Sequence, residues 1–521
     1  MKPGRVFLSG LAAGTAAVIL SFALRILAGG FYLPELAASA LFSLVPGYLE
    51  SRAVENLGPL AKDSAFLGAS VLNAVVLGLI PVVLDRFGRI PKVGYRKFAA
   101  FVVLPFVLML SLWALFNSLA QVSSQTTGLA SIELGLVGPS LVFGLIMGLV
   151  RLTPPPPSPV LYPQEQFRGK FSRKRRLFIK SAIATTAGAA LLYYGAGLLL
   201  SKPGPVGVNK DEAATIIASQ VTPNNEFYRV DVNVIPPSVD SSTWSLNLHG
   251  LVSNPKTINY GQLITLESIE EYATLECVSN KVGGDLMSTA KWKGVRLKDI
   301  LASAGVAPGA DYVVFRCADG YDVGIPLDRA MMEGTMLAYE MNGTKLPIEH
   351  GFPVRAIVPG LYGMMNAKWI TDIEVVQGVY DGFWQRRGWA NNAFYKTGST
   401  ILTPGDSQLR DRFPLPSRVT DISGSQAVIV GAAFAGDRGI RKVEVSTDGG
   451  LTWEMASLYD PLSQYTWVFW KYGWDSPDSG NHRLMVRATD GDGQTQVATM
   501  TEPFPSGATG YNVVDIRVSD S

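Results

Sequence analysis

The residue best equipped for chemistry in this chain of 521 residues is Cys277, one of two cysteines in a protein with three histidines. It sits in Thr274-Leu275-Glu276-Cys277-Val278-Ser279-Asn280-Lys281-Val282-Gly283-Gly284, a polar stretch that ends in two glycines. A lone thiolate in such a loop is a candidate soft-metal ligand or nucleophile. Unpaired cysteines are also common as inert packing groups, so Cys277 by itself decides nothing. The second thiol, Cys317, lies in Phe315-Arg316-Cys317-Ala318-Asp319-Gly320. Two cysteines make no disulfide framework and do not reveal a redox compartment.

The elements that must position Cys277 are framed by composition. A formal charge of +2 gives no footing for nucleic-acid binding. The chain is 47% apolar and 17% charged, with a mean hydropathy of +0.20, too apolar for a wholly soluble protein. Its length predicts about three units.

The apolar excess lies in the first 200 residues, where runs at 6–30, 65–84, 99–120 and 130–150 each approach the ~20 residues of a spanning helix. They predict a four-helix transmembrane region over 1–152. The stretch 31–49 is interrupted by Pro34, Glu35 and Pro46 and reads as an interfacial or re-entrant helix. Arg86, Arg89, Lys92, Arg96 and Lys97 crowd the loop 85–97, while 121–131 has no Lys or Arg, which places the N-terminus and the 85–97 loop in the cytoplasm. Arg25, near the outer end of the first helix, is expected to snorkel. No histidine precedes His249, so a bis-histidine haem inside these helices is excluded.

A Pro-rich and basic cytoplasmic linker follows over 153–177, then a fifth apolar anchor over 178–200. Arg175-Arg176-Leu177-Phe178-Ile179-Lys180 resembles an internal twin-arginine export signal; in the other reading it marks only the inner end of the helix. With five crossings, the remainder lies on the periplasmic or extracellular side.

From about residue 211 the pattern changes to short strands, among them 244–248 and 312–315, with short helices at 211–219, 260–266, 297–304 and 327–333. This predicts an α+β domain over 201–405 built on a mainly antiparallel sheet. Irregular sequence at 400–417 marks a boundary. The strands 427–434, 440–446, 465–470 and 482–490 then predict an immunoglobulin-like β-sandwich over 406–521.

Several separated motifs of the soluble half resemble the sulfite oxidase family of molybdopterin-dependent oxidoreductases. They are Cys277-Val278-Ser279-Asn280; Leu337 to Gly343 with Leu346-Pro347; His350-Gly351-Phe352-Pro353-Val354-Arg355; Val358-Pro359-Gly360; Tyr362-Gly363; and Lys368-Trp369. Val445-Ser446-Thr447-Asp448-Gly449-Gly450 with Thr452-Trp453 resembles the family's dimerisation domain. The resemblance implies a molybdenum ion held by one pyranopterin and by Cys277, with oxygen-atom transfer as the chemistry. It implies that His350, Arg355 and Lys368 hold the cofactor's phosphate and pterin, with the backbone at Asn366 and Ala367 beside them. Asn225-Glu226-Phe227-Tyr228-Arg229 resembles the segment lining the cofactor, which implies roles for Asn225, Tyr228 and Arg229. Cys317 matches a position near the cofactor, and a plain buried thiol is an equal reading.

The chain also departs from the family. Val282 stands where sulfite oxidases carry an arginine, with Lys281 beside it, and Trp389 follows Trp384-Gln385-Arg386-Arg387-Gly388 where they carry a tyrosine. Sulfite is thereby weakened as a substrate, leaving a small oxyanion or a sulfoxide. No His-Pro-Gly-Gly turn or Cys-x-x-Cys-His site supplies a haem. A separate cytochrome or quinone-linked partner is therefore expected, and a homodimer is implied by the C-terminal domain. The reading from another class is a cofactor-free, membrane-anchored binding or adhesion module on the same fold.

Overall fold

The computed structural model describes residues 3–28, 32–45, 49, 60–86, 94–120, 129–149, 219–233, 236–405, 407–413, 421–423, 426–475 and 478–519. The Pro-rich linker, the twin-arginine-like motif, the fifth anchor at 178–200 and the helix expected at 211–219 lie outside these residues, apart from Ser219.

The apolar N-terminal sequence forms helices α1 (Pro3–Ala28), α2 (Leu33–Leu44), α3 (Leu60–Arg86), α4 (Gly94–Ala120) and α5 (Leu129–Leu149). Three are long and apolar enough to cross a membrane, over Val6–Arg25, Phe66–Arg86 and Phe98–Leu115; the fourth expected span has a described apolar stretch of Gly135–Gly148. Small residues bring α1 and α3 together: a Cβ at Gly10 would sit 2.5 Å from the Gly78 carbonyl oxygen, and one at Gly14 2.5 Å from that of Ala74. Pro34 does not break α2, because a proline in a first helical turn displaces no intrahelical hydrogen bond. Arg25, expected to snorkel, has a protein partner. Its Nε donates to Glu35 Oε2 at 2.9 Å, so α1 and α2 are joined by a partly buried ion pair.

In the soluble half the strands are β1 (Ser245–Gly250), β2 (Lys256–Asn259), β3 (Ser268–Glu276), β4 (Met287–Arg296), β5 (Tyr312–Cys317) and β6 (Asp322–Pro326). β7 (Met336–Met341), β8 (Thr344–Lys345), β9 (Arg355–Ile357) and β10 (Ile370–Val376) follow. One sheet has the order β2-β1-β10-β5-β6 and a second β3-β4-β7-β8, with β9 on β7. All their pairings are antiparallel except β1 with β10, where Asn247 faces Asp372. The helices are α6 (Tyr260–Thr265), opened by a capping box between Asn259 and Gln262, α7 (Leu297–Ala304) and α8 (Leu327–Ala330). α7 buries Leu297, Ile300, Leu301 and Ala304, one face at helical spacing.

The C-terminal strands are β11 (Gly398–Thr403), β12 (Asp421–Ser423), β13 (Gln426–Phe434), β14 (Ile440–Ser446) and β15 (Glu454–Met455). They continue with β16 (Ser457–Leu458), β17 (Val468–Asp475), β18 (Gly480–Asp490) and β19 (Asn512–Ser519). Two sheets, β11-β13-β17-β16 and β12-β19-β18-β14-β15, share a core that includes Ile401, Ile429, Trp470, Val445, Val486 and Ile516. β11 lies ahead of the boundary expected at 405–406 and pairs with β13, Gly398 facing Phe434. The large core between the first two sheets runs without a break into Val430, Phe434, Trp467 and Phe469.

Candidate active site

β3 delivers the thiol. Its last residue is Glu276, and the chain turns at Cys277, whose N–H donates to the Leu286 carbonyl at 2.9 Å. Asn280 closes the turn: its Oδ1 accepts from Leu286 N at 3.1 Å, and its Nδ2 donates to Glu276 Oε1 at 2.9 Å. Cys277 is 7% exposed, and its Sγ is hydrogen-bonded with the Ser279 hydroxyl at 3.0 Å. Burial pushes the neighbouring Glu276 carboxyl up to about 7, opposed by the Asn280 hydrogen bond.

Cys277 lines a cleft enclosing about 990 Å³ of non-protein space, open solvent included. His350, Arg355, Asn366, Ala367 and Lys368, far from it in sequence, line the same cleft, as do Tyr228 and Trp389. The 3-10 turn Ile348–His350 carries the imidazole, and Gly351 follows in the left-handed region at φ +115°. A Cβ at Gly351 would lie 3.0 Å from both the Arg355 and Lys368 Cβ atoms, so glycine lets the two cations stand side by side.

The three basic groups differ in kind. His350 is 3% exposed and its Nε2 donates to the Asn224 carbonyl at 2.7 Å. Burial, with the Arg355 charge, pushes its imidazole down to about 4, against the pull of that hydrogen bond. Arg355 is 5% exposed and lies 4.9 Å from the Trp292 ring centre. Its Nη1 donates to the His350 carbonyl at 3.1 Å and its Nη2 to that of Asn366 at 3.4 Å, whereas its Nε is buried with no acceptor. Burial lowers the guanidinium to about 10, which leaves it charged at neutral pH. Lys368 Nζ pairs with Asp231 and also donates to the Glu349 carbonyl at 3.3 Å.

Asn366 braces the loop between these residues. Its Oδ1 accepts from Val358 N at 2.7 Å, and its Nδ2 donates to the carbonyls of Leu361 and Tyr362, both at 3.1 Å. Trp369 stands in the left-handed region at φ +53°, an uncommon position for a bulky residue, and its indole N–H holds the Ile348 carbonyl at 2.7 Å.

Not every expected residue faces the cleft. Asn225 is exposed and outside its lining, and Asn224 supplies the hydrogen bond to His350 instead. Arg229 is also outside the lining; its side chain is 38% exposed and paired with Asp231. Cys317 is buried beside the Lys368-Trp369 backbone, and burial, then Asp319, raises its thiol well above the usual range. A thiol so raised stays protonated and unreactive. Lys281 and Val282 line a separate cleft with Lys396 and Thr397, so Lys281 supplies no charge here. Arg386 forms a two-pronged pair with Asp322 at 2.7 and 2.9 Å, and Arg387 lies over Phe383, donating to its carbonyl at 2.7 Å. Missing from the sequence reading was Asp231, the buried carboxylate that balances Lys368 and Arg229. An acid within Val230-Asp231-Val232 was the available signal.

This donor set fits a phosphorylated pyranopterin whose metal takes a single protein thiolate. It offers one thiol, two cations and a buried guanidinium N–H that still needs an acceptor. Among the described residues no group of three or more His, Cys, Asp or Glu side chains could hold a metal ion unaided.

Comparison with known proteins agrees. A family model described as the oxidoreductase molybdopterin binding domain matches residues 233–384, and one described as the Mo-co oxidoreductase dimerisation domain matches 413–504. Rat mitochondrial sulfite oxidase is 32% identical over 289 residues, covering 49% of this chain and 53% of that protein. Sulfite oxidase of Arabidopsis thaliana is 30% identical over 291 residues, 48% of this chain and 74% of that protein. An uncharacterized oxidoreductase of Bacillus subtilis is 34% identical over 167 residues, 31% of this chain and 82% of that protein. The chain thus spans about half the length of the rat enzyme. A thiol, an unsatisfied guanidinium and two matched domains lead to one conclusion: the chain belongs to the sulfite oxidase family of molybdopterin-dependent oxidoreductases.

Proposed function

We propose that this molybdenum-cofactor oxidoreductase is a membrane-anchored enzyme that moves an oxygen atom to or from a small oxyanion or sulfoxide. The observation that carries the reading is the meeting of Cys277 with His350, Arg355 and Lys368 in one cleft, with the Arg355 Nε lacking an acceptor. When bound, the cofactor supplies two-electron oxygen-atom transfer. The protein's part is ligation, orientation and charge.

In this reading Cys277 is the metal ligand, held against rotation by its turn and by Ser279. Arg355 and Lys368 bind the phosphate, and the backbone at Asn366 and Ala367 seats the pterin beside Tyr228. His350 already commits its Nε2 hydrogen to the Asn224 carbonyl, so to serve an anion it must also hold a proton on Nδ1. A dianion at the site supplies the electrostatic reason for that proton to stay. Arg229 acts at one remove, by holding Asp231. Cys317 takes the structural role. Trp389 closes the substrate side, braced by Phe504 with ring centres 5.2 Å apart.

The apolar helices support anchoring, with the expected arrangement of four spans, a cytoplasmic linker at 153–177, a fifth anchor at 178–200 and a catalytic domain outside the cytoplasm. The two-sheet C-terminal domain is read as immunoglobulin-like and as the surface of a homodimer, supported by the match to a dimerisation domain. A separate cytochrome or quinone-linked protein exchanges the electrons.

Replacement of Cys277 by serine tests the assignment. The variant should keep its fold, seen as an unchanged far-ultraviolet spectrum and melting temperature. It should lose activity by about 1,000-fold or more, because a hydroxyl is a poor substitute for a soft thiolate. Turnover at the native rate would remove Cys277 from the mechanism.

A further inference from the structure

With Arg355 and Lys368 assigned to the cofactor, the wall of the cleft left for substrate has little to attract an anion. Among the described lining residues the remaining positions include Val230, Val232, Val278, Met364, Trp384 and Trp389. The titratable groups that remain include the carboxylates Asp231 and Asp319 and the phenol of Tyr321, and no further Lys or Arg. Cations close in sequence or space are engaged elsewhere. Arg229 is paired with Asp231, Arg386 with Asp322, and Arg412 donates to the carbonyls of Asp285 and Glu226.

Bringing a dianion into a partly apolar cleft beside two carboxylates means stripping its water without offering a counter-charge. An uncharged molecule meets no such barrier. The same wall does offer a donor that lacks an acceptor: Trp389 lines the cleft, is 6% exposed, and its indole N–H is buried and unsatisfied. A buried donor left unsatisfied is destabilising until a ligand oxygen accepts from it.

We infer that the substrate is an uncharged, partly apolar molecule of the sulfoxide–thioether class rather than an oxyanion, and that the Trp389 indole N–H hydrogen-bonds its oxygen. The inference rests on the cofactor reading, which commits Arg355 and Lys368 to the phosphate. In the reductive direction the sulfur–oxygen bond breaks and the sulfoxide becomes a thioether. The oxygen leaves as water with two protons from solvent and two electrons from a one-electron donor of the viologen class.

The test uses the full chain, matured with its cofactor and extracted in detergent, with molybdenum measured first. Methyl phenyl sulfoxide and nitrate are then offered with reduced benzyl viologen, and sulfite with ferricyanide as electron acceptor. The sulfoxide should exceed both anions in kcat/KM by about 100-fold, the scale on which a pocket separates a ligand it can satisfy from one it cannot. Calorimetry on the oxidised protein should register binding of the sulfoxide and none of sulfate, a readout independent of turnover. Trp389→Phe keeps an aromatic wall and should raise KM for the sulfoxide about tenfold with molybdenum content unchanged. Asp231→Asn unpairs Lys368 and Arg229 and should narrow the sulfoxide-to-sulfite ratio about tenfold or more. Sulfite or nitrate turnover equal to that of the sulfoxide, or tighter binding of sulfate, overturns the inference and leaves the cofactor reading standing. Matured protein without molybdenum overturns both.

Discussion

The helical region and the soluble half are held together by opposite means. Where α1 meets α3, the contact depends on side chains that are missing: Gly10, Gly14 and Gly78 let backbones approach where any Cβ would collide. The soluble half depends on side chains that are large. Trp292, Trp369, Trp467 and Trp470 are all under 2% exposed, and each fixes a polar partner through its indole N–H. In lipid, apolar side chains gain nothing by leaving a hydrocarbon surround, so close backbone packing must supply the contact energy. In water the aromatic area itself drives burial, and its N–H needs a partner. The ionisable groups follow the same division, with one ion pair described between α1 and α2 and a dense polar network around the cleft.

Four measurements sharpen or break this contrast. The largest effect belongs to Trp292→Ala, which removes the ring between Phe227, 5.6 Å away, and the Arg355 guanidinium. It should cost the soluble half about 3–5 kcal/mol in denaturant unfolding and leave the helices intact. A loss under about 1 kcal/mol would mean the aromatic core is not what carries that half.

Next comes pH. His350, its folded value pushed down to about 4 from an ordinary 6.5, binds a proton in that window only when the chain unfolds. Stability is thus fully present above pH 6.5 and falls as pH drops towards 4, by something on the order of 3 kcal/mol for cofactor-free protein. A His350→Gln variant should lose that slope. The helical sequence contains no histidine, so its unfolding in detergent should be flat over the same window.

Smaller still is Gly14→Leu, which forces α1 off α3 and should destabilise the helical region by about 1–3 kcal/mol while sparing the soluble melt. Gly68→Leu is the control. A Cβ there meets nothing within 4 Å, so the change should stay within about 0.5 kcal/mol. Equal sensitivity at Gly14 and Gly68 would sink the idea of backbone-to-backbone packing.

Sequence alone reached the elements more readily than the site. The helix at 297–304 was legible to the residue because its apolar positions repeat at helical spacing and Gly305 ends it in the left-handed region. The strand expected from residue 465 begins at Val468 instead. Residues 463–466 are a turn, in which Thr466 N donates to the Ser463 carbonyl at 3.2 Å, and their apolar and hydroxyl character serves docking rather than a ladder. In the site, Cys277 was legible from rarity, but its union with His350, Arg355 and Lys368 was implied only by family resemblance. Nothing local ties residues so far apart. The pairing of Asp231 with Lys368 was invisible for the same reason, since the two stand 137 positions apart.

That docking turn also bears on how the Cys277 loop is held. Thr274, three residues before the thiol, donates its N–H to the Tyr465 carbonyl at 2.9 Å and accepts from Trp467 N at 2.9 Å, while Ser463 Oγ holds the Tyr272 carbonyl at 2.6 Å. The strand that aims the sulfur is therefore gripped along one side by the chain's C-terminal third. With Cys277 as the proposed metal ligand, that third is part of the jig that aims the sulfur, and a fragment ending near residue 405 would lose all three of these hydrogen bonds.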